Sequence, residues 1–154
     1  MKKILLTLLL FSSIFAQANR ILTLAPTAQT SSIGNVMLPM MNPARNLFDK
    51  DHFSFSRVNW MTNIVNDMSY NFINFDRGQY GLNVLFFNYG EQNQSDEFGI
   101  IQNQFTPLSA VYSFSYARKV DKYNLGVTAK LITHDLYTQS AKGLVLGVGG
   151  YFPK

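Results

Sequence analysis

Few side chains in this 154-residue chain have the chemistry of a catalytic site. Its two histidines are His52 and His134, and His134 is followed directly by a carboxylate, Asp135. Nucleophilic catalysis needs a nucleophile beside a base that a third group orients, and a lone His-Asp pair does not provide this arrangement. The sequence therefore predicts surface roles for both histidines and no enzymatic activity.

A second candidate is the acidic group formed by Asp96 and Glu97 with Glu91 nearby. Carboxylate oxygens suit hard cations, but this spacing matches no calcium-binding loop, so a solvated charge cluster is favoured. The glycine-rich run 143–150 has neither a phosphate-binding sequence nor a helix pattern after it, and it is interpreted as a strand with small side chains. No metal and no cofactor are expected.

The N-terminal residues set the expected compartment. Lys2 and Lys3 precede a mostly apolar run, residues 4–15, which ends at Ala16-Gln17-Ala18. This order is typical of a secretory signal peptide cleaved after Ala18, and the run is shorter than the roughly 20 residues of a membrane helix. Residues 1–18 are therefore predicted to be a signal peptide.

Charge and cysteine content exclude several classes of protein. The chain has 13 Lys and Arg residues, and removing the two in the signal leaves 11 against nine acidic residues, a net charge near +2. Scattered charges without a basic stripe give no support for nucleic-acid binding. Because the chain has no cysteine, neither disulfides nor a cysteine metal site can stabilise the exported protein.

The elements that must position any site are strands. Apolar and polar residues alternate with period 2 in six segments, which predicts antiparallel β-structure. Their ranges are 52–58, 67–75, 80–87, 110–117, 123–131 and 143–152. Several of these segments reach the nine to eleven residues of a tilted membrane-spanning strand, above the usual strand length of five or six.

The alternation also predicts which side chains share a face. Six residues are expected to line a barrel lumen: Asn83, Leu85, Phe87, Asn124, Thr128 and Lys130. Lys130 lies in mid-strand, where a charge on the lipid side would cost about 2 to 4 kcal/mol. Either Lys130 lines a wet interior, or the face assignment is inverted.

The connections between strands predict the two sides of the membrane. Residues 76–79 and 119–122 are short turns, whereas 59–66, 89–109 and 134–142 are longer, as periplasmic turns and external loops are in outer-membrane barrels. Six aromatic residues at strand ends are expected at the membrane interfaces: Trp60, Tyr80, Tyr89, Tyr116, Tyr123 and Tyr137. The alternative is a soluble periplasmic or secreted β-protein that binds a small ligand, because such proteins also alternate.

Residues 19–50 differ from the strand region, because prolines and small polar residues interrupt them and no alternation is sustained. Their apolar residues must be buried somewhere. Two interpretations stay open, a plug inside the barrel and a peripheral periplasmic strap. The remaining residues, 51–154, are assigned to the β-barrel strands.

Several short motifs resemble the PorV/PorQ family of outer-membrane proteins. They are Asn42-Pro43-Ala44, the strand Phe53-Ser54-Phe55-Ser56, Asn59-Trp60, Asn88-Tyr89-Gly90, and the segments 113–118 and 125–130. That family is similar to FadL-type barrels, in which strands surround an N-terminal plug, and its best-known members act in type IX secretion and cargo attachment. The resemblance implies outer-membrane lipid as a partner, together with secretion-machinery proteins or secreted cargo.

Six strands are too few for a membrane barrel, which needs at least about eight. The fold class expected is therefore an all-β, antiparallel, up-and-down transmembrane β-barrel, FadL-like and incomplete, with the missing strands in a longer chain or in other copies. The expected location is the outer membrane of a Gram-negative-type bacterium. The expected function is a non-enzymatic secretion-associated surface scaffold or a conduit for hydrophobic small molecules.

Overall fold

The structure is a computed structural model that describes residues 40–47, 51–61, 63–64 and 67–152. The predicted signal peptide and most of the predicted plug or strap segment lie outside these residues. In the described part of the chain no helix is long and apolar enough to cross a membrane.

The described chain is all-β and antiparallel, as predicted. A 3₁₀ helix, Pro43–Leu47, precedes eight strands. The strands are β1 His52–Asn59, β2 Ser69–Arg77, β3 Tyr80–Asn88, β4 Gln92–Ser95, β5 Ile101–Phe105, β6 Leu108–Val120, β7 Tyr123–Leu136 and β8 Gln139–Tyr151. Six of them form one sheet in the order β1-β2-β3-β6-β7-β8, and β4 pairs only with β5. The sheet is open, with β1 and β8 at its edges.

The six strands of the large sheet correspond to the six predicted segments, but two connections differ from the prediction. Residues 89–109 are not a plain loop, because they contain the β4–β5 hairpin. Residues 134–142 are not a loop, because β7 and β8 pair from Leu136↔Gln139 onward and leave a two-residue turn. The predicted alternation of short and long connections is therefore wrong at this last hairpin.

Three two-residue turns share one backbone feature. They lie at residues 78–79, 121–122 and 137–138, and the first residue of each has a positive φ: Gly78 (58°), Asp121 (54°) and Tyr137 (51°). Glycine and aspartate are common at such positions, whereas a bulky tyrosine is rare there. The Tyr137 ring packs on Phe105 at 4.7 Å between centroids, and its hydroxyl accepts a hydrogen bond from Asn103 Nδ2 at 3.0 Å. These contacts offset the unfavourable backbone conformation.

The sheet has a turn end and a loop end, and it has a covered face and an apolar face. Strands β2 and β6 finish at the turn end, and β1, β3 and β7 finish at the loop end. The covered face carries, for example, Asp76, Asn83 and Thr128, and the apolar face carries Leu82, Phe114 and Val127. The 3₁₀ helix packs on the covered face, against β6, β7 and β8.

Candidate functional site

Polar side chains form two rows across the covered face. Cross-strand partners in an antiparallel sheet place their side chains on the same side. One row runs Asn74, Asn83, Ser113 and Lys130, and the next runs Asp76, Gly81, Ser115 and Thr128. All of the polar members except Lys130 are buried, and Lys130 is partly buried. A polar strip therefore crosses the interior side of the sheet.

The predicted motif Asn42-Pro43-Ala44 lies directly on this face, where glycines let its backbone approach. A Cβ atom added at Gly126 would lie 2.6 Å from the Pro43 carbonyl carbon and 2.7 Å from the Ala44 nitrogen. At Gly149 an added Cβ would lie 2.7 Å from Pro43 Cδ. Any larger side chain at these two positions would push the motif away from the sheet.

Side-chain hydrogen bonds hold the same segment in place. Asn46 Nδ2 donates to Ser115 Oγ at 3.0 Å and to the Gln79 carbonyl oxygen at 3.3 Å. Asn42 Oδ1 accepts from the Ala44 backbone N–H at 3.2 Å, which closes the turn into the 3₁₀ helix. The segment is therefore fixed near the turn end of the covered face by contacts more than 30 residues apart in sequence.

Several buried polar atoms in the strip have no protein hydrogen-bond partner. They are both amide atoms of Asn83, the Oδ1 atoms of Asn74 and Asn46, and Ser113 Oγ. Buried polar atoms usually find a protein or water partner, since leaving one unpaired costs about 1–3 kcal/mol. The strip can therefore hold ordered water or a small polar solute, with the Lys130 ammonium at its β7 side.

Toward the loop end the covered face becomes apolar. Five buried side chains form one cluster: Met40, Tyr70, Phe72, Leu85 and Val111. Phe87 packs on this cluster from β3. The apolar residues just before the Asn-Pro-Ala motif therefore contribute to a core on the same face as the polar strip.

All six residues predicted to line a lumen lie on the covered face. Leu85 is in the apolar cluster, Asn83, Thr128 and Lys130 are in the polar strip, and Asn124 lies close to the turn end. The six residues therefore share one side of the sheet. That this side lines a lumen stays a prediction.

The opposite face has the reverse polarity. Its large apolar side chains are exposed on all six strands of the large sheet, among them Phe55, Leu82, Phe114, Val127 (52 % exposed), Leu146 (76 %) and Val148 (87 %). Polar side chains interrupt it near the loop end, among them Ser69, Asn71 and Asn88, and Asn71 Nδ2 donates to Ser69 Oγ at 3.1 Å. Toward the turn end, the sheet thus buries polar side chains on one face and exposes apolar side chains on the other.

The six aromatic residues expected at membrane interfaces divide between the two faces. Tyr80, Tyr116 and Tyr123 lie on the apolar face near the turn end, with the Tyr80 and Tyr116 rings 5.3 Å apart. At the loop end, Trp60 and Tyr89 pack on Phe87, which belongs to the covered face. Tyr137 lies in the β7–β8 turn. Of the six, only Tyr80, Tyr116 and Tyr123 therefore lie on the apolar face near one end of the sheet.

A serine and a histidine, which the sequence did not pair, meet at the loop end of the covered face. Ser109 Oγ hydrogen-bonds His134 Nδ1 and also donates to Tyr89 Oη at 3.3 Å. Asp135 projects to the other face, so it does not orient this imidazole. Ser109 is fully buried, and a substrate therefore has no access to its hydroxyl.

The acidic cluster predicted in the long connection is part of the β4–β5 hairpin. Asp96 caps the hairpin turn, because its carboxylate accepts backbone hydrogen bonds from Phe98 and Ile100, both at 2.9 Å, and one from Gln102 Nε2 at 3.1 Å. Within the described ranges no three histidine, aspartate or glutamate side chains come together in a way that could hold a metal ion.

Comparison with known proteins finds no match: no family model fits the chain, and no curated protein is similar to it.

Proposed function

We propose that this chain forms part of the wall of a non-enzymatic outer-membrane β-barrel of the PorV/PorQ type, which acts as a secretion-associated surface scaffold. The observation that carries the proposal is the reversed polarity of the sheet. Soluble proteins rarely expose large continuous apolar patches and rarely bury so many polar side chains. Membrane barrels alternate apolar residues toward lipid with polar residues toward the interior.

Strand length supports the same proposal. β2 and β3 have nine residues each, and β6, β7 and β8 have 13 or 14. A strand that crosses the bilayer at about 45° needs roughly nine to eleven residues. The five strands from β2 to β8 in the large sheet are therefore long enough to span.

The open edges determine what else the barrel needs. An unpaired backbone group in the hydrocarbon region costs several kcal/mol, so β1 and β8 must each pair with another strand. Membrane barrels contain at least about eight strands, whereas this sheet has six. The complete barrel therefore requires further strands, from the same chain or from another copy.

The covered face favours a scaffold over a conduit for hydrophobic molecules. The apolar cluster that such molecules would use is filled by Met40, and Leu85 within it has no exposed surface. Near the turn end the same face is occupied by the 3₁₀ helix. A closed interior suits a barrel whose outer rim binds secretion-machinery proteins or cargo.

Fractionation of cells that express the full chain tests the membrane proposal. We expect the protein in the outer-membrane pellet, extracted only by detergent, with a gel mobility that changes on heating. Release by osmotic shock together with a soluble periplasmic marker would refute the proposal and favour the soluble ligand-binding alternative. If liposomes that contain the extracted protein take up fatty acids, the protein is a conduit for hydrophobic molecules and not a scaffold.

A further inference from the structure

A continuous groove runs along the apolar face between β6 and β8. Its loop-end half has a volume of about 270 Å³ and its turn-end half about 350 Å³, and Tyr116, Val127 and Val148 line both halves. These three residues are cross-strand partners in one row across β6, β7 and β8. The two halves therefore form a single channel that crosses this row.

Side-chain size explains why the groove exists. The middle strand contributes small residues to the floor, Ala129 and Val127, whereas β6 contributes the taller Phe114 and Tyr116 on one side. On the other side, Leu146 of β8 is opposite Ala129. The groove follows β7 from Ala129 to Leu125, which is roughly 13 Å of strand. At a 45° tilt this is about 9 Å of depth, which lies within the roughly 15 Å of one leaflet's hydrocarbon.

The groove ends at a positive charge. Arg118 lines the turn-end half and is exposed. The adjoining turn is basic, because residues 118–122 contain Arg118, Lys119 and Lys122 against the single acid Asp121. Lys122 Nζ lies 5.4 Å from the centre of the Tyr123 ring, so a second cation is present at the same level of the sheet.

We infer that this groove binds one acyl chain of an anionic phospholipid in the leaflet at the turn end, with the lipid phosphate held by Arg118. The inference rests on the proposed membrane location and adds the class and position of the lipid. The apolar groove suits the apolar acyl chain. The basic turn lies at the turn end of the groove, where the headgroup end of the chain and the lipid phosphate are expected. A guanidinium can contact two phosphate oxygens at once, which makes Arg118 the better anchor than a lysine.

The test measures lipid retention by the full chain, purified in detergent, by native mass spectrometry. Dioleoyl-phosphatidylglycerol and dioleoyl-phosphatidylcholine are added separately, since they share acyl chains and differ in net charge. We expect about fivefold stronger retention of phosphatidylglycerol by the wild-type protein. Arg118→Gln should remove this preference, whereas Arg118→Lys should keep part of it.

Three further variants separate binding in the groove from general attraction of lipid to the protein. Ala129→Phe fills the groove and should lower retention of both lipids, and Leu82→Phe, on the same face outside the groove, should not. Arg77→Gln removes another exposed arginine at the turn end, whose Nε lies 3.9 Å from Asp51 Oδ2. This variant should keep the preference for phosphatidylglycerol. Heat-dependent gel mobility confirms that each variant is folded.

Equal retention of the two lipids by the wild-type protein would overturn the inference, as would an equal loss in Arg77→Gln and Arg118→Gln. Either result leaves the proposed function intact when fractionation places the protein in the outer membrane. Release of the protein by osmotic shock would instead remove the proposed function, and the lipid site with it.

Discussion

Two neighbouring residues on β7 show how the two faces of the sheet differ in polarity. Lys130 lies on the covered face opposite Ser113 and Val145, and Leu131 lies on the apolar face opposite Tyr112 and Leu144. Period-2 alternation predicted this division from the sequence, because each step along a strand reverses the direction of the side chain. The same rule placed Asn83 and Thr128 together, although 45 residues separate them.

A pair of substitutions tests the division. Lys130→Leu should change the free energy of unfolding by less than about 1 kcal/mol, because it removes a partly buried charge and keeps an apolar stem. Leu131→Arg should destabilise the protein by about 2–4 kcal/mol, since in the proposed barrel it places a charge in lipid. Urea unfolding of liposome-reconstituted protein measures both. A larger cost for Lys130→Leu than for Leu131→Arg would mean that the faces are reversed.

The glycines under the Asn-Pro-Ala motif support a second prediction. Gly126→Ala should destabilise the protein by roughly 1–3 kcal/mol, because the new methyl group meets backbone atoms that cannot rotate away. Gly143→Ala, on the same face of β8, meets nothing within 4 Å and is the matched control. Limited proteolysis at residues 40–47 together with thermal unfolding measures the effect. Equal stability of the two variants would contradict the close packing of the motif.

The sequence carried only one indirect signal of this contact. The motif and the face predictions were both available, but Pro43 and Gly126 are 83 positions apart, and local periodicity carries no information on such pairs. The one available signal was the excess of glycine in β8, which indicates close approach of another backbone. From the sequence, the run 143–150 is interpreted only as a strand with small side chains.

At the scale of elements, the strands with an apolar side were predictable and the polar ones were not. β4 has the sequence Gln-Asn-Gln-Ser, and β5 has three polar residues among its five. Neither shows an apolar face, so alternation does not identify them. The same reason explains the missed extension of β7 and β8, where His134, Asp135 and residues 139–142 continue the pairing with mostly polar side chains.

The β4–β5 hairpin depends on Asp96 and should therefore depend on pH. The backbone N–H of Ile100 holds the pKa of Asp96 below its usual range, opposed by desolvation and helped further by hydrogen bonds from Gln102 and Phe98. A carboxyl group with a lowered folded-state pKa stabilises the hairpin fully above its unfolded pKa, near 3.9, and loses that contribution as the pH falls through the folded value.

Hydrogen exchange of residues 92–105 tests this dependence. Protection should be unchanged between pH 7 and pH 5 and should fall below about pH 4, after correction for intrinsic exchange rates. Asp96→Ala should show the low protection at every pH, whereas Glu97→Gln, one residue away, should behave as the wild-type protein does. A hairpin equally protected at pH 2 and pH 7 would show that Asp96 does not hold it.

The whole molecule is defined by its two unpaired edges. β1 has eight residues and β8 has 13, and each pairs on one side only within the described chain. The six strands of the large sheet could be counted from the sequence, whereas β4 and β5 could not. The need for further strands follows from the proposed membrane location. The identity of the additional strands could not be predicted from the sequence, because the backbone groups that pair at a strand edge are the same in every residue.

Hydrogen exchange of the amides in the edge strands tests whether the barrel is closed. When the full protein is in a bilayer, amides along β8 should be protected as strongly as those of β6, which is paired on both sides, because unpaired groups are not tolerated in hydrocarbon. The chain in detergent-free urea provides the unprotected reference. Rapid exchange at alternate β8 amides in the bilayer would show that the edge stays open.

The long β7–β8 hairpin has one more consequence. Fourteen residues of β7 extend about 48 Å along the strand and rise about 34 Å at a 45° tilt, whereas the apolar band of a membrane barrel is about 25 Å tall. With its other end near the membrane surface, the tip at Tyr137 and Thr138 would rise above the lipid, braced by Phe105 of the neighbouring hairpin. An epitope inserted between these two residues should be readable by antibodies on intact cells, which makes the tip a site for surface display.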